Sequence, residues 1–201
     1  MIISALLLAF LVGSVPTGYL IARSRGIDLR KTGSGNTGAT NAGRVLGKHA
    51  GIVTLVIDLI KGIIGIELGL LFLNNFVVTI GYDPSPLLGF AAICGHCFSP
   101  WLGFKGGKGV ATAGGVFLFL ASLQALCAIL VFALMFRISR IVSLSSIVAA
   151  AIIPIMLALS SAPQVLKFAS FLSSALIIYR HKDNIARLLA GTEQKFIAKS
   201  S

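Results

Sequence analysis

Six apolar runs separated by short polar segments make up most of this chain. They extend from Ile2 to Ala22, Ala50 to Leu73, Leu87 to Phe98, Val110 to Phe136, Ile141 to Leu159 and Gln164 to Tyr179. A bilayer core of about 30 Å takes about 20 helical residues, so most of these runs are long enough to cross it as helices, and the third is short. The run from Val110 to Phe136 is too long for one crossing. As a single helix rising about 1.5 Å per residue it would reach about 40 Å.

Charge placement resolves that run. A single crossing would put Arg137 and Arg140 opposite the other basic loops, whereas a break near Ala121-Ser122-Leu123-Gln124 with a return puts every basic loop on one side. That side then holds Arg23 to Lys48, Lys105, Lys108, Arg137, Arg140 and the tail from Arg180 to Lys199. The loops Asn74 to Pro86 and Ser160 to Pro163 carry no Lys or Arg. The positive-inside rule therefore predicts an all-α integral membrane protein: a compact bundle of seven transmembrane helical segments, N-terminus outside and C-terminus cytoplasmic. The two segments of the broken run are short or tilted, which requires protein or a wet cavity over their ends. No internal repeat or long linker divides the chain, so residues 1–201 read as one domain. Ala-Thr-Ala-Gly-Gly at 111–115 offers small residues for close helix contact.

Composition agrees with this reading. Of 201 residues, 56% are hydrophobic and 11% charged, a profile that excludes an ordinary soluble domain. The first run ends in Arg23 and Arg25 instead of starting with basic residues, and no small-residue cleavage site follows; it reads as a retained span. The net charge of +11 sits in short loops between spans, which points to anionic lipid or an anionic substrate and away from nucleic acid. Cys94-Gly95-His96-Cys97 has the spacing of a thioredoxin-like redox site. That chemistry needs a soluble βαβ setting, and here the motif lies in an apolar run, so buried core thiols are expected.

Two glycine-rich stretches carry the candidate chemistry. Gly33 to Gly38 spells G-x-G-x-x-G, but it follows a basic loop instead of a buried strand, which excludes a Rossmann cofactor loop. Its physics still suits an anion: glycines let backbone N–H groups converge, while Ser34, Gly35, Asn36, Thr37 and Asn41 supply donors and Arg44 a forked charge. Gly103 to Gly109 misses the P-loop spacing, and Gly109 stands where a magnesium-binding hydroxyl belongs. Gly107 and Lys108, just before a helix starting at Val110, still suit a phosphate through ammonium and helix N-terminus together. Lys105 reads mainly as a positive-inside anchor. On the same face, Ser143, Ser145 and Ser146 open one helix, and Arg180-His181-Lys182-Asp183-Asn184 closes the last. Within the spans, Asp58 and Lys61 sit at i, i+3 and are expected to pair.

These residues together resemble a known family. Gly13-Ser14-Val15-Pro16-Thr17-Gly18-Tyr19, Gly33 to Asn41 with Arg44, Gly95-His96, Phe104 to Thr112, and Tyr179-Arg180-His181 with Asn184 are similar to the bacterial acyl-phosphate:glycerol-3-phosphate acyltransferases, the PlsY family. The resemblance covers nearly the whole chain. It implies a seven-helix bundle in the bacterial cytoplasmic (inner) membrane, with its active site at the cytoplasmic face. It also implies transfer of a fatty acyl group from acyl phosphate to the 1-hydroxyl of glycerol 3-phosphate, without cofactor or metal. On this resemblance Ser34 and its neighbouring backbone hold the donor phosphate. Arg44, Lys108 and Ser146, with Ser143, grip glycerol 3-phosphate, and His181 and Asn184 orient the attacking hydroxyl. No His is followed five residues later by Asp, as the soluble-type glycerolipid acyltransferases require; His96 is expected to pack or bond locally. The alternative reading is a transporter of a phosphorylated solute or anion, motivated by basic loops beside short helices; all the candidate phosphate ligands lie on one face, which weighs against it.

Overall fold

The computed structural model of the chain describes residues 1–73 and 83–196. Most of the loop expected over 74–86, and the end of the basic tail over 197–201 with Lys199, lie outside the described residues. Among the described residues there are ten α-helices, two short 3-10 turns and no strand. They fall into two compact units, Met1–Leu120 and Ala121–Ser201.

The first unit contains α1 (Ile2–Gly13), α2 (Thr17–Arg23), α3 (Ala39–Leu46), α4 (Lys48–Leu73), α5 (Ser85–Cys97) and α6 (Val110–Leu120). The 26-residue α4 packs against each of the other five. Close packing is possible because backbone meets backbone. On α1 and α5, Gly13 lies under the Ala92 carbonyl and Gly95 under the Phe10 carbonyl, with no room for a Cβ at either. On α4 and α6, Gly62 faces the Thr112 carbonyl and Gly115 the Leu59 carbonyl. The expected small-residue contact at 111–115 thus falls on Gly115, while Gly114 has open space where a side chain would be. Small residues at helix crossings are what packing without a strong hydrophobic driving force demands.

The first apolar run is not one helix. Pro16 has no N–H to donate and its ring disfavours helix continuation, so α1 ends at Gly13 and α2 leaves at 40° to it. The run beginning at Val110 breaks where expected: Ala121 leaves the helical region at φ −154°, ψ 62°, between Leu120 and Ser122. α3 lies within residues 23–48, which the sequence pattern reads as a basic loop.

The second unit contains α7 (Ser122–Ser139), α8 (Val142–Ala158), α9 (Gln164–Arg180) and α10 (Lys182–Leu189). α7 is long and apolar enough to cross a membrane, and few of its side chains are buried. α8 packs on α7 and α9 and also touches the short α10. After α10 the chain continues without helix or strand to Phe196, whose N–H donates to the Arg140 carbonyl at 2.7 Å and whose ring meets Phe136 edge-on at 6.0 Å.

Gly95→Ala inserts a methyl against the Phe10 carbonyl and is expected to destabilise the first unit by about 1–3 kcal/mol, as overpacking does. Gly114→Ala fills open space and loses nothing. Thermal melting of both variants in detergent checks the contrast.

Candidate functional site

The first glycine stretch is a loop held by its own polar groups. Asp28 opens it: its Oδ1 accepts the Arg30 N–H at 3.0 Å and its carbonyl accepts the Thr32 hydroxyl at 3.0 Å. The Arg30 guanidinium forks onto both Asp28 oxygens, at 3.0 and 2.7 Å, and lies over the Tyr19 ring at 4.9 Å. That fork holds the Asp28 carboxyl down at about 2. Asn41, 1% exposed, is the loop's internal brace. Its Nδ2 donates to the carbonyls of Leu29, Thr32 and Asn36, and its Oδ1 accepts the Ser34 N–H at 2.9 Å.

This bracing changes which groups face outward. The Asn41 amide is consumed inside the loop, so Asn41 shapes the cradle and does not present its amide to a ligand. The N–H of Ser34 is taken by Asn41, that of Gly35 by the Thr32 carbonyl, and that of Gly38 by Asn36 Oδ1 at 2.8 Å. Gly33 (φ +61°) and Gly35 (φ +71°) occupy the left-handed region, and a side chain on Gly33 would strike Asn41. The hydroxyls of Ser34 and Thr37 and the N–H groups of Ala39 and Thr40 remain for an anion, the latter two preceding the first intrahelical bond of α3. Arg44 stands in the last turn of α3.

The second stretch packs against the end of α5. Gly106 N–H donates to the Cys97 carbonyl at 3.1 Å and Gly107 N–H to the His96 carbonyl at 3.0 Å. A Cβ on Gly106 would overlap the His96 carbonyl, and one on Gly107 the His96 ring at Nε2. The glycines are therefore small because His96 lies behind them; this also answers where His96 bonds locally. Lys108 follows, and α6 begins at Val110 as expected. Trp101, before the loop, donates from Nε1 to Ser14 Oγ at 2.8 Å, and Ser99 Oγ donates to the Ser14 carbonyl at 2.7 Å. Cys94 and Cys97 lie on α5 and are not joined in a disulfide.

Beneath these loops lies the expected pair: Lys61 Nζ stands 2.7 Å from Asp58 Oδ1. The same oxygen accepts the Thr17 hydroxyl at 2.9 Å and lies 3.9 Å from His96 Nδ1. Lys61 also donates to the Val15 carbonyl at 2.7 Å.

The second unit collects a separate polar cluster around Glu193, which sequence reasoning passed over. Its Oε1 accepts Ser143 Oγ at 2.7 Å and Asn184 Nδ2 at 2.6 Å, and its Oε2 accepts Arg187 Nε at 2.7 Å. An acid in a strongly basic tail, one of two with Asp183, was the available signal. Burial by itself pushes the Glu193 carboxyl up, but the donors Ser143, Asn184 and Arg187 outweigh it, and the net shift is below the ordinary 4.5. Ser146 Oγ donates to the Val142 carbonyl at 2.9 Å, one turn back in α8. His181 is buried, and its Nδ1 lies 2.7 Å from the Ile177 carbonyl. A carbonyl only accepts, so that nitrogen carries the proton, and in the neutral ring Nε2 is the acceptor.

Glu193→Gln turns an amide toward Arg187 and weakens charge-assisted bonds, so it is expected to destabilise the second unit by about 1–3 kcal/mol. The carboxylate's contribution is fully present above its ordinary pKa and is lost as pH falls through the lowered folded value. Melting curves from pH 7 down to about pH 3 check both: the wild type loses stability as pH falls below the ordinary carboxylate range, and the variant lacks that component.

Comparison with known proteins places these features in one lineage. Residues 3–191 match the family model described as Glycerol-3-phosphate acyltransferase. Similar relatives include the glycerol-3-phosphate acyltransferase of Trichlorobacter lovleyi, 46% identical over 190 residues and covering 94% of this chain and 95% of that protein. That of Geobacter sulfurreducens is 43% identical over 194 residues, with 94% and 95% covered. The fold is similar to the crystal structure of PlsY, an integral membrane glycerol 3-phosphate acyltransferase, in its glycerol 3-phosphate form: TM-score 0.87, 40% identity, 98% of this chain and 96% of that chain. Its lysophosphatidic acid form gives 0.85 and 39%, with the same coverage. The two glycine loops, the serines of α8 and the His181–Asn184 turn thus lie in a chain that belongs to the glycerol-3-phosphate acyltransferase family.

Proposed function

We propose that this protein transfers a fatty acyl group from acyl phosphate to the 1-hydroxyl of glycerol 3-phosphate, giving lysophosphatidate and inorganic phosphate. One observation carries the reading beyond family membership. A single unit presents two glycine loops, each running into a helix N-terminus, one with Arg44 on the helix that follows and one with Lys108 just before it. Both substrates bring a phosphate, and each loop suits one. Ser34 and Thr37, with the N–H groups opening α3, receive the donor phosphate; Gly35 and Asn36 shape that loop, and Asn41 braces it. Arg44 and Lys108, the latter set by Gly107, bind glycerol 3-phosphate. On the family resemblance, Ser143 and Ser146 belong to the binding set of the same substrate, and His181 and Asn184 orient its hydroxyl.

The chemistry asks little of acid–base groups. The glycerol oxygen attacks the acyl carbonyl carbon, a new ester C–O bond forms, and the bond from that carbon to the phosphate oxygen breaks. The departing phosphate takes the hydroxyl proton. Because the donor is already activated, positioning and stabilisation of negative charge supply most of the rate. His181 Nε2, the acceptor nitrogen, suits a hydrogen bond from the attacking hydroxyl. The setting we propose is a single domain of seven membrane crossings, N-terminus outside. The loops face the cytoplasm in the bacterial inner membrane, and the donor's acyl chain stays in lipid. The positive-inside charge pattern supports this orientation.

Lys108→Ala and Arg44→Ala are each expected to reduce lysophosphatidate formation at least about tenfold, the equivalent of one charged hydrogen bond of about 1.5–3 kcal/mol. Lys105→Ala is milder. His181→Asn keeps a donor near the Nδ1 position, so it retains the fold while losing turnover. Assays of the purified variants in lipid check all four, and normal turnover by Lys108→Ala or Arg44→Ala contradicts the assignment.

A further inference from the structure

Asp58 is a carboxylate placed where one is costly. It lies in the middle of α4, 2% exposed, with Lys61 one turn on at 6% exposed. A buried ion pair is weak evidence for stability, since an apolar pair of similar size often serves as well. Its surroundings give it another use. Lys61 and Asp58 hold the α1–α2 link on both sides of Pro16, through the Val15 carbonyl and the Thr17 hydroxyl. Pro16 has no N–H, so the backbone at this bend has one tie fewer of its own.

From this point two lines of contact run outward. Thr17 opens α2, and the next residue, Gly18, lies so close under the Thr37 carbonyl that no Cβ fits between them; Thr37 belongs to the first glycine loop. On the other side, His96 presents Nδ1 to Asp58 at 3.9 Å, ion-pair range when the ring is protonated. Its opposite ring edge lies against Gly107, and its carbonyl receives the Gly107 N–H, one residue before Lys108. We propose that Asp58 is a positioning residue for both phosphate-binding loops, acting through Thr17 on the first and through His96 on the second. This rests on the acyl-transfer reading above. Asp58 touches neither substrate; it sets where the two phosphates sit relative to each other.

Apparent KM for palmitoyl phosphate and for glycerol 3-phosphate, with kcat and melting temperature, are measured in lipid for the wild type, Thr17→Val, Thr17→Ser and the double variant Asp58→Asn/Lys61→Met. The double variant removes both charges, so neither is left buried alone. Thr17→Val, which loses one hydrogen bond, is expected to raise KM for palmitoyl phosphate about threefold or more with kcat little changed, and Thr17→Ser to restore it. The double variant raises KM for both substrates. Melting temperatures that fall while both KM values hold overturn the proposal, because a merely structural pair behaves that way. A fall in kcat at constant KM, or failure of Thr17→Ser to restore, overturns it too. If the double variant fails to fold, the threonine pair decides for the first loop and His96→Gln for the second, where an unchanged KM for glycerol 3-phosphate overturns the proposal. A wild type that forms no lysophosphatidate refutes the reaction itself, and the inference with it, a failure distinct from unchanged KM in an active enzyme.

Discussion

Everything in the first unit depends on α1 and α5 touching through bare backbone. With Gly13 under the Ala92 carbonyl and Gly95 under the Phe10 carbonyl, the two helices are in register at two points about one another's ends, and no side chain separates them. That contact places the end of α5, hence His96 and the glycine loop on it, next to the bend between α1 and α2. The Ser99 and Trp101 bonds to Ser14 tie the same corner from the other side. A methyl group at Gly95 acts on this corner first.

Within each unit the polar groups do two kinds of work. Some are consumed in holding loops: the Asn41 amide, the Asp28–Arg30 fork and the Glu193 carboxylate each satisfy several partners at once. Buried polar groups are tolerated where their hydrogen bonds are complete, and such bracing leaves a loop with few alternative shapes. Others, among them the Ser34 and Thr37 hydroxyls, are not spent on bracing the loop. A preorganised loop loses little entropy when its ligand arrives, which is the condition under which positioning yields rate.

Much of the fold was legible in the sequence because apolar runs of helical length leave few choices. The run from Ala50, the short one from Leu87 and the break at Ala121 were readable from length and charge. The bend at Pro16 was missed, although proline inside an apolar run is its ordinary signal. α3 and α10 were missed because short amphipathic helices in basic segments look like loops. At the site, Lys108 before a helix and the Asp58–Lys61 pair were readable from spacing. Glu193 and the inward turn of Asn41 were not. Both depend on which groups meet across 7 to 50 residues of chain, and no local pattern encodes that. The glycines of the second loop look like a ligand cradle in sequence; their small size is set by His96 behind them.

In the proposed reaction an already activated donor meets glycerol 3-phosphate on this protein and gives up phosphate as it acylates. Its most direct test supplies purified protein in lipid with labelled glycerol 3-phosphate and either palmitoyl phosphate or palmitoyl-CoA, and follows lysophosphatidate and inorganic phosphate together. Product is expected from palmitoyl phosphate alone, with one phosphate released for each lysophosphatidate formed. Product only from the thioester, or phosphate released without acylated product, would contradict it.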